Sequence, residues 1–458
     1  MKKTTVLILC LLAMSDVFAL DVRCKSEITT RQTETGLEIS LPDDLIVLSG
    51  SFDGTISIKG DNDYTVRLEN VNIEADGVAL KLGGKAKNVY IELSGENHLT
   101  DKGKPEQNWK KGVINVNPDS HILDLTIRGD GSLDITASKK HGIKAGYSCI
   151  IESGTVNINV SETALGDGIK AGDAFIMAGG SLTINALGCI VGDESKGINV
   201  EGHEWGVEEK GYIPRPFAEN AKCLVRIDSG EINITSTGKG ITAGWEGDED
   251  GITGTHDDDP EPLVLINGGV VKVRCTGELR TSGTKLSPEG IESKGAMIIN
   301  DGFIEVNAID DGLNASSITI NNGLVIAESL KDDGIDCNGI LTVNGGVVFA
   351  MGDRAPSSGI DCDHKDNFHY NGGDIISIGG MAEELPPGHG LGIGYYKFFQ
   401  DLDKFPFNTL YLLNKRNEAV LVCTIPSRYN DFTRLSLFIA SDKTEGKCDI
   451  QFRLEENQ

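Results

Sequence analysis

Asp310-Asp311-Gly312-Leu313-Asn314, Asp332-Asp333-Gly334-Ile335-Asp336 and Ser358-Gly359-Ile360-Asp361 state one phrase three times, with Gly312, Gly334 and Gly359 separated by 22 and 25 positions. Periods of this length belong to solenoids, whose coils cannot bury an apolar face alone and stack to share one core. At roughly 3.3 Å per extended residue such a coil has a perimeter of roughly 70 Å, room for three short strands and three turns. Working outward, the Gly-Ile part recurs at Gly142-Ile143, Gly168-Ile169, Gly197-Ile198, Gly240-Ile241 and Gly290-Ile291, with Gly112-Val113 and Gly77-Val78 as altered copies. A second phrase, apolar-x-apolar-x-Gly-x-apolar-x-apolar, alternates with it, centred on Gly131, Gly154, Gly180, Gly230, Gly269, Gly302, Gly323, Gly346 and Gly373. Each phrase reads as a period-2 strand joined to its neighbour at a glycine turn, as in Val156-Asn157-Ile158-Asn159-Val160 after Ser153-Gly154. The expected fold is all-β, a right-handed parallel β-helix of about ten coils over residues 61–380, with the hand set by strand twist.

Asn267, Asn300, Asn321, Asn344 and Asn371 each stand two positions before the second-phrase glycine. Coils stacked about 4.8 Å apart place these amides in one column, where each donates to the carbonyl of the next across a buried turn. Residues 20–60 contain short alternating strands and are expected to cap the open N-terminal edge, which would otherwise invite aggregation. Residues 381–458 are expected to form a C-terminal cap of antiparallel strands, from Thr409-Leu-Tyr-Leu-Leu, Ala419-Val-Leu-Val-Cys and Leu435-Ser-Leu-Phe-Ile. Three interruptions, His203 to Lys222, Trp245 to Pro262 and Thr276 to Pro288, read as loops bulging from turns. The second is acidic, but its spacing fits neither an EF-hand nor a glycine-rich nonapeptide repeat.

Met1-Lys2-Lys3, the apolar run from Val6 to Ala13 and the end Val17-Phe18-Ala19 read as a secretory leader over residues 1–19, so a secreted or cell-surface location is expected. No later stretch is long and apolar enough to span a bilayer. The formal net charge is -27 at pH 7, and loss of the leader takes it to about -28, which disfavours nucleic acid and anionic membranes and favours multivalent cations. Nine cysteines beyond the leader are too thinly spread for a disulfide-stapled scaffold. Cys337 and Cys362 occupy matching places in successive coils, and Cys423 and Cys448 share the last segment, which makes these the candidate pairs.

The residue after the core Ile should point outward. That column reads Lys144, Lys170, Asn199, Thr242, Glu292, Asn314, Asp336 and Asp361, so the face passes from basic to acidic. The position before Gly repeats the trend with Asp167, Glu289, Asp311 and Asp333. Carboxylates stacked about 5 Å apart repel by roughly 3 kcal/mol per pair at an effective dielectric of 20. A cation relieves this, and calcium suits an all-oxygen set from Asp310, Asp311, Asp332, Asp333, Asp336 and Asp361, with the amide of Asn314 beside them. A single Asp-Gly pair would instead simply cap turn N–H groups. Lys144, Lys170 and Asn199, with Trp205 and Trp245 beside the loops, form the candidate ligand-binding set. No catalytic set is legible: Ser/His/Asp order, HExxH, CxxC and P-loop patterns are absent. A calcium-assisted lyase would need a base beside its metal, and Lys144 and Lys170 lie several coils from the late aspartates.

The Asp-Asp-Gly-Ile-Asp and Gly-Ile-Lys-Ala-Gly phrases, the alternating Ile-Asn-x-Gly-Gly strands and the strand-rich tail after Leu385-Pro-Pro-Gly resemble the secreted carbohydrate-binding domain family built on a pectate-lyase-like right-handed β-helix. The resemblance covers about residues 40–440. It implies binding of calcium and of plant cell-wall polysaccharide, including polygalacturonate and cellulose, without established catalysis. The family's acidic turn positions correspond to Asp167, Asp311, Asp333, Asp336 and Asp361. Ser358-Gly359 departs from the double-Asp form, and Lys196 and Lys239 replace the acid in two other coils. A calcium-dependent, non-catalytic polysaccharide-binding protein is therefore expected, against the alternatives of a pectate-type lyase and of an adhesin whose helix is only a spacer.

Overall fold

The computed structural model describes residues 4–7, 20–41, 44–106, 108–116, 120, 122–190, 193–201, 207–208, 211–212, 223–244, 261–282, 285–380, 393–399, 409–413, 416–442 and 449–453. Of the expected leader only the strand Thr4–Leu7 is described. The chain divides into two compact units, Met1–Val264 and Leu265–Gln458. All regular structure described is β apart from two short 3-10 turns.

In the first unit three columns of parallel strands wind in sequence order. The Gly-Ile phrases form one: Gly36–Leu41, Thr55–Gly60, Leu80–Gly84, Gly112–Val116, His141–Ala145, Ile169–Ala171, Ile198–Val200 and Ile241–Ala243 each pair in parallel with the next. The second runs through Asn88–Ser94, Asp124–Gly129, Ser148–Ile151, Ala174–Met177 and Cys223–Ile227. The third runs through Glu96–Asp101, Ser132–Ala137, Thr155–Val160, Ser181–Ala186 and Glu231–Ser236. Each strand thus bonds to the equivalent strand one circuit later, the pairing of a stacked solenoid. Alternation does the rest: Ile143, Ile169, Ile198 and Ile241 are fully buried, as are Ile135, Ile158 and Ile184 of the third column. Parallel pairing already begins at Gly36, earlier than the expected cap boundary at residue 60. The antiparallel edge comprises Thr4–Leu7 on Asp21–Cys24, Asp21–Cys24 on Leu45–Asp53 and Thr29–Gln32 on Gly36–Leu41.

The second unit repeats the plan. Ile291–Ile299, Leu313–Ile320, Ile335–Cys337 and Ile360–Asp361 stack in parallel, as do Val270–Cys275, Phe303–Ala308, Leu324–Ser329, Val347–Met351 and Asp374–Gly379. Leu435–Ser441 then crosses Asp374–Gly379 antiparallel, and Ile393–Phe399 adds to its other side. Thr409–Leu413 pairs antiparallel with Ala419–Thr424 and Asp449–Arg453. Tyr429, Phe432 and Leu437 pack on Met351, Ile376 and Ile378, closing the apolar end of the stack.

The five asparagines form a ladder. Asn300 donates to Asn267, Asn321 to Asn300, Asn344 to Asn321 and Asn371 to Asn344, each at 2.7 Å. The turn they line is exposed or half-buried, not buried as expected. The two glycine series answer different demands. Second-phrase glycines such as Gly180 (φ 80°) and Gly323 (φ 98°) occupy the left-handed region, which costs glycine nothing sterically. The Gly-Ile glycines do not: at Gly142, Gly168, Gly197, Gly290, Gly312 and Gly334 an added Cβ would lie 2.4–2.8 Å from the carbonyl oxygen of the corresponding glycine one coil on. They are required by stacking rather than by a turn. Cys337 and Cys362 are buried and form no disulfide, and neither do the other described cysteines, of which Cys24 is half-buried and Cys189 exposed. Cys423 is also free, and Cys448 lies outside the described residues.

Candidate functional site

The first unit carries a cleft of about 430 Å³ on its Gly-Ile column, within the roughly 300–1,000 Å³ of small-ligand sites. Lys144, Lys170 and Asn199 come together there in one registered column. Asn199 does not face open solvent as the alternation predicts; it is buried, because its amide nitrogen donates to Asp167 Oδ2 at 2.9 Å and to Glu201 Oε1 at 2.6 Å. Glu201 folds back over the column: Lys170 Nζ meets its Oε2 at 2.5 Å and Lys196 Nζ stands 3.8 Å from its Oε1. Burial works against ionisation of Glu201, yet Lys170 and Lys196 hold its carboxyl down to about 2. Buried His141 accepts the Asp167 N–H at Nδ1, 3.0 Å away. Desolvation pushes its imidazole down to about 3, against the pull of Asp167 and with the help of Lys170, Lys144 and Lys140, so it is neutral at physiological pH.

Asp167 lines this cleft. Its Oδ1 accepts the Lys196 N–H at 3.1 Å, and it enters neither of the carboxylate groups described below. Its neighbours differ from those of the late acids: the adjoining coils present Lys144, Lys170 and Lys196 where the late coils present carboxylates. One wall of the cleft is Trp109, half-buried, with Lys139 Nζ 4.3 Å and Lys111 Nζ 4.9 Å from its ring centroid. Its indole lies against Gly77, where a Cβ would meet Cζ2 at 2.7 Å. Trp109 is not among the expected ligand-binding residues; Trp205 and Trp245, which are, lie outside the described residues, as does the acidic loop from Glu246 to Pro260.

In the second unit the late aspartates converge. Glu289, Asp310 and Asp311 bring carboxylate oxygens within 4.8 Å of one another, and Asp311, Asp332 and Asp333 do the same. Glu289, Asp310, Asp311 and Asp333 are buried. Part of each acid serves the backbone: Asp311 Oδ1 accepts the Asp333 N–H at 3.1 Å, and Asp333 Oδ1 accepts the Ser358 N–H at 2.5 Å and its hydroxyl at 3.1 Å. Each thus caps the turn one coil on. Asp336 and Asp361 stand opposite each other in the neighbouring column. Asn314 presents its amide nitrogen to Asp311 Oδ2 at 2.9 Å and to Asp336 Oδ2 at 3.1 Å, so it bridges carboxylates as a donor. Desolvation first, then the charges of Asp336, Asp310 and Asp332, drive Asp311 well above the carboxylate range. Burial, with Asp332 and Asp361, raises Asp333, although the Ser358 bonds pull the other way. Asp336 is pushed up to about 6 by desolvation and by Asp361.

A sequence-family model described as carbohydrate-binding domain-containing protein matches residues 37–334. The chain belongs to that family. Membership supports a carbohydrate-binding, polysaccharide-directed role, and the matched region contains the whole cleft together with Glu289, Asp310, Asp311, Asp332 and Asp333. No curated protein and no solved structure matches the chain. Among the described residues no helix is long and apolar enough to cross a membrane.

Proposed function

We propose that this carbohydrate-binding-domain protein is a secreted, non-catalytic binder of acidic polysaccharide such as polygalacturonate, that its stacked strands form a right-handed parallel β-helix of about ten coils, and that binding is calcium-dependent. The observation that carries this reading is the pair of three-carboxylate groups sharing Asp311. Their donor set fits calcium: all ligands are hard oxygens, several are buried, and the raised carboxyls of Asp311 and Asp333 are what a cation would bring back into the ionised range. Glu289, Asp310, Asp311, Asp332 and Asp333 would hold the ion, with Asp336 and Asp361 adding negative field beside it. Bound there, calcium supplies positive charge and open coordination positions to which uronate carboxylates can attach. Without it, a chain of formal charge -27 and a polyuronate repel each other.

The double variant Asp333→Ala with Asp336→Ala is expected to reduce retention on immobilised polygalacturonate in calcium by about tenfold, equivalent to about 1.4 kcal/mol. The wild type is expected to release no ultraviolet-absorbing unsaturated product from the same polymer. Undiminished retention by the folded double variant would remove the acidic groups from the binding surface, and product formation would establish a lyase.

A further inference from the structure

We propose that the cleft of the first unit is a direct subsite for the carboxylate-bearing ring of an acidic glycan, one that requires no metal ion. The inference rests on the reading that the chain binds acidic polysaccharide, and it names where a sugar carboxylate is held without calcium.

The whole chain is strongly acidic, with a formal charge of -27, yet the cleft is lined by five lysines, Lys110, Lys140, Lys144, Lys170 and Lys196, against four carboxylates. Two of those carboxylates are committed to the protein itself. Asp167 accepts from the Lys196 backbone and from Asn199, and Glu201 accepts from Asn199 and pairs with Lys170. Since Glu201 engages Lys170 and Lys196 in turn, the formal excess in the cleft is one positive charge, set on a chain that is elsewhere repulsive to anions. Lys144 stands in register with Lys170 on the adjacent strand, about 4.8 Å away along the stack, so a carboxylate that meets Lys144 lies beside the Lys170–Glu201 pair.

A buried polar atom points to the rest of the ligand. Asn199 is 1% exposed, and its Oδ1 has no hydrogen-bond partner among the described residues, because its amide nitrogen is engaged with Asp167 and Glu201. An unpaired buried acceptor is unfavourable, and a hydroxyl donor relieves it. A sugar ring carries both groups this floor asks for, a hydroxyl that donates and, in a uronate, a carboxylate that accepts from lysine. Trp109 adds an aromatic wall for the apolar C–H face of the ring.

Titration calorimetry of the full chain in chelator, with trigalacturonate and with the neutral galactotriose, tests the subsite. The acidic trimer is expected to bind, and the neutral trimer to bind at least about tenfold more weakly. Lys144→Gln and Lys196→Gln are each expected to weaken the acidic trimer by about tenfold, while Lys59→Gln, exposed outside the cleft, leaves it unchanged. The same thermal midpoint in all three variants shows that they fold. Equal affinity for the two trimers overturns the inference, as does an unchanged affinity in both folded cleft variants. No heat from the acidic trimer in chelator, with the polymer still retained in calcium, overturns the subsite and leaves the calcium reading standing. Failure of both trimer and polymer to bind overturns both.

Discussion

Alanine at Gly334 is expected to destabilise the protein by about 3 kcal/mol in urea unfolding, a large effect for one added methyl. The Cβ would stand 2.4 Å from Met351 N, 2.7 Å from Gly359 O and 2.9 Å from Ala327 O. All three are backbone atoms of neighbouring strands, so no flexible side chain can give way and the coils themselves must separate. Gly83→Ala is the matched control. Its Cβ would meet nothing within 4 Å, and its effect should stay within about 0.5 kcal/mol. Equal losses at the two positions would show that glycine is needed for something other than the close stacking of coils.

Asp336→Asn is expected to stabilise the protein by about 2 kcal/mol at pH 8 in the absence of divalent cations. Burial and Asp361 raise this carboxyl from 3.8 to about 6 in the folded state, where a tenfold change in proton affinity corresponds to about 1.4 kcal/mol, and solvent screening of the half-buried side chain lowers the total. The sign follows from proton binding. Between pH 3.8 and about 6 the folded state binds more protons than the unfolded one, so the stability contributed by Asp336 is complete below pH 3.8 and is lost as pH rises through 6. Asparagine keeps an oxygen to accept from Asn314 and Asn338 without the charge. The gap between variant and wild type should therefore shrink to near zero below about pH 4. Calcium should reverse the order at pH 8: at about 100 times its dissociation constant it adds about 2.7 kcal/mol to a protein that binds it only when folded, and the variant, with a weaker negative field beside the site, should gain less. A variant less stable than wild type without divalent cations would mean that the late acids are held by interactions stronger than their repulsion.

The repeat was legible because stacking is periodic and so is its sequence. Gly-Ile at each coil, the two-residue offset of Asn300 and Asn321 from their glycines, and the outward column from Lys144 to Asn199 and from Asn314 to Asp361 all follow from register alone. What the sequence concealed depends on contacts between coils. Gly168 and Gly312 look like turn residues, and only the carbonyl one coil on reveals why a side chain is excluded. Asn199 belongs to an outward position, and it is buried because Glu201, two residues later, turns back to meet Lys170. Trp109 carries no local signal, since its place in the cleft is set by Gly77, 32 residues earlier. Asp167 shares its phrase with Asp311 and Asp333 and caps the turn one coil on as they do, yet its neighbours are lysines where theirs are acids.

Calcium dependence of polymer binding is the central claim, and co-sedimentation of the full chain with polygalacturonate, first in chelator and then with calcium restored in excess, tests it most directly. Retention should fall by at least about tenfold in chelator, to the weak level that a single lysine-lined subsite supports, and should return in full with calcium. Retention that chelation leaves unchanged would contradict the account and reduce the acids around Asp311 to caps on the turns of the next coil.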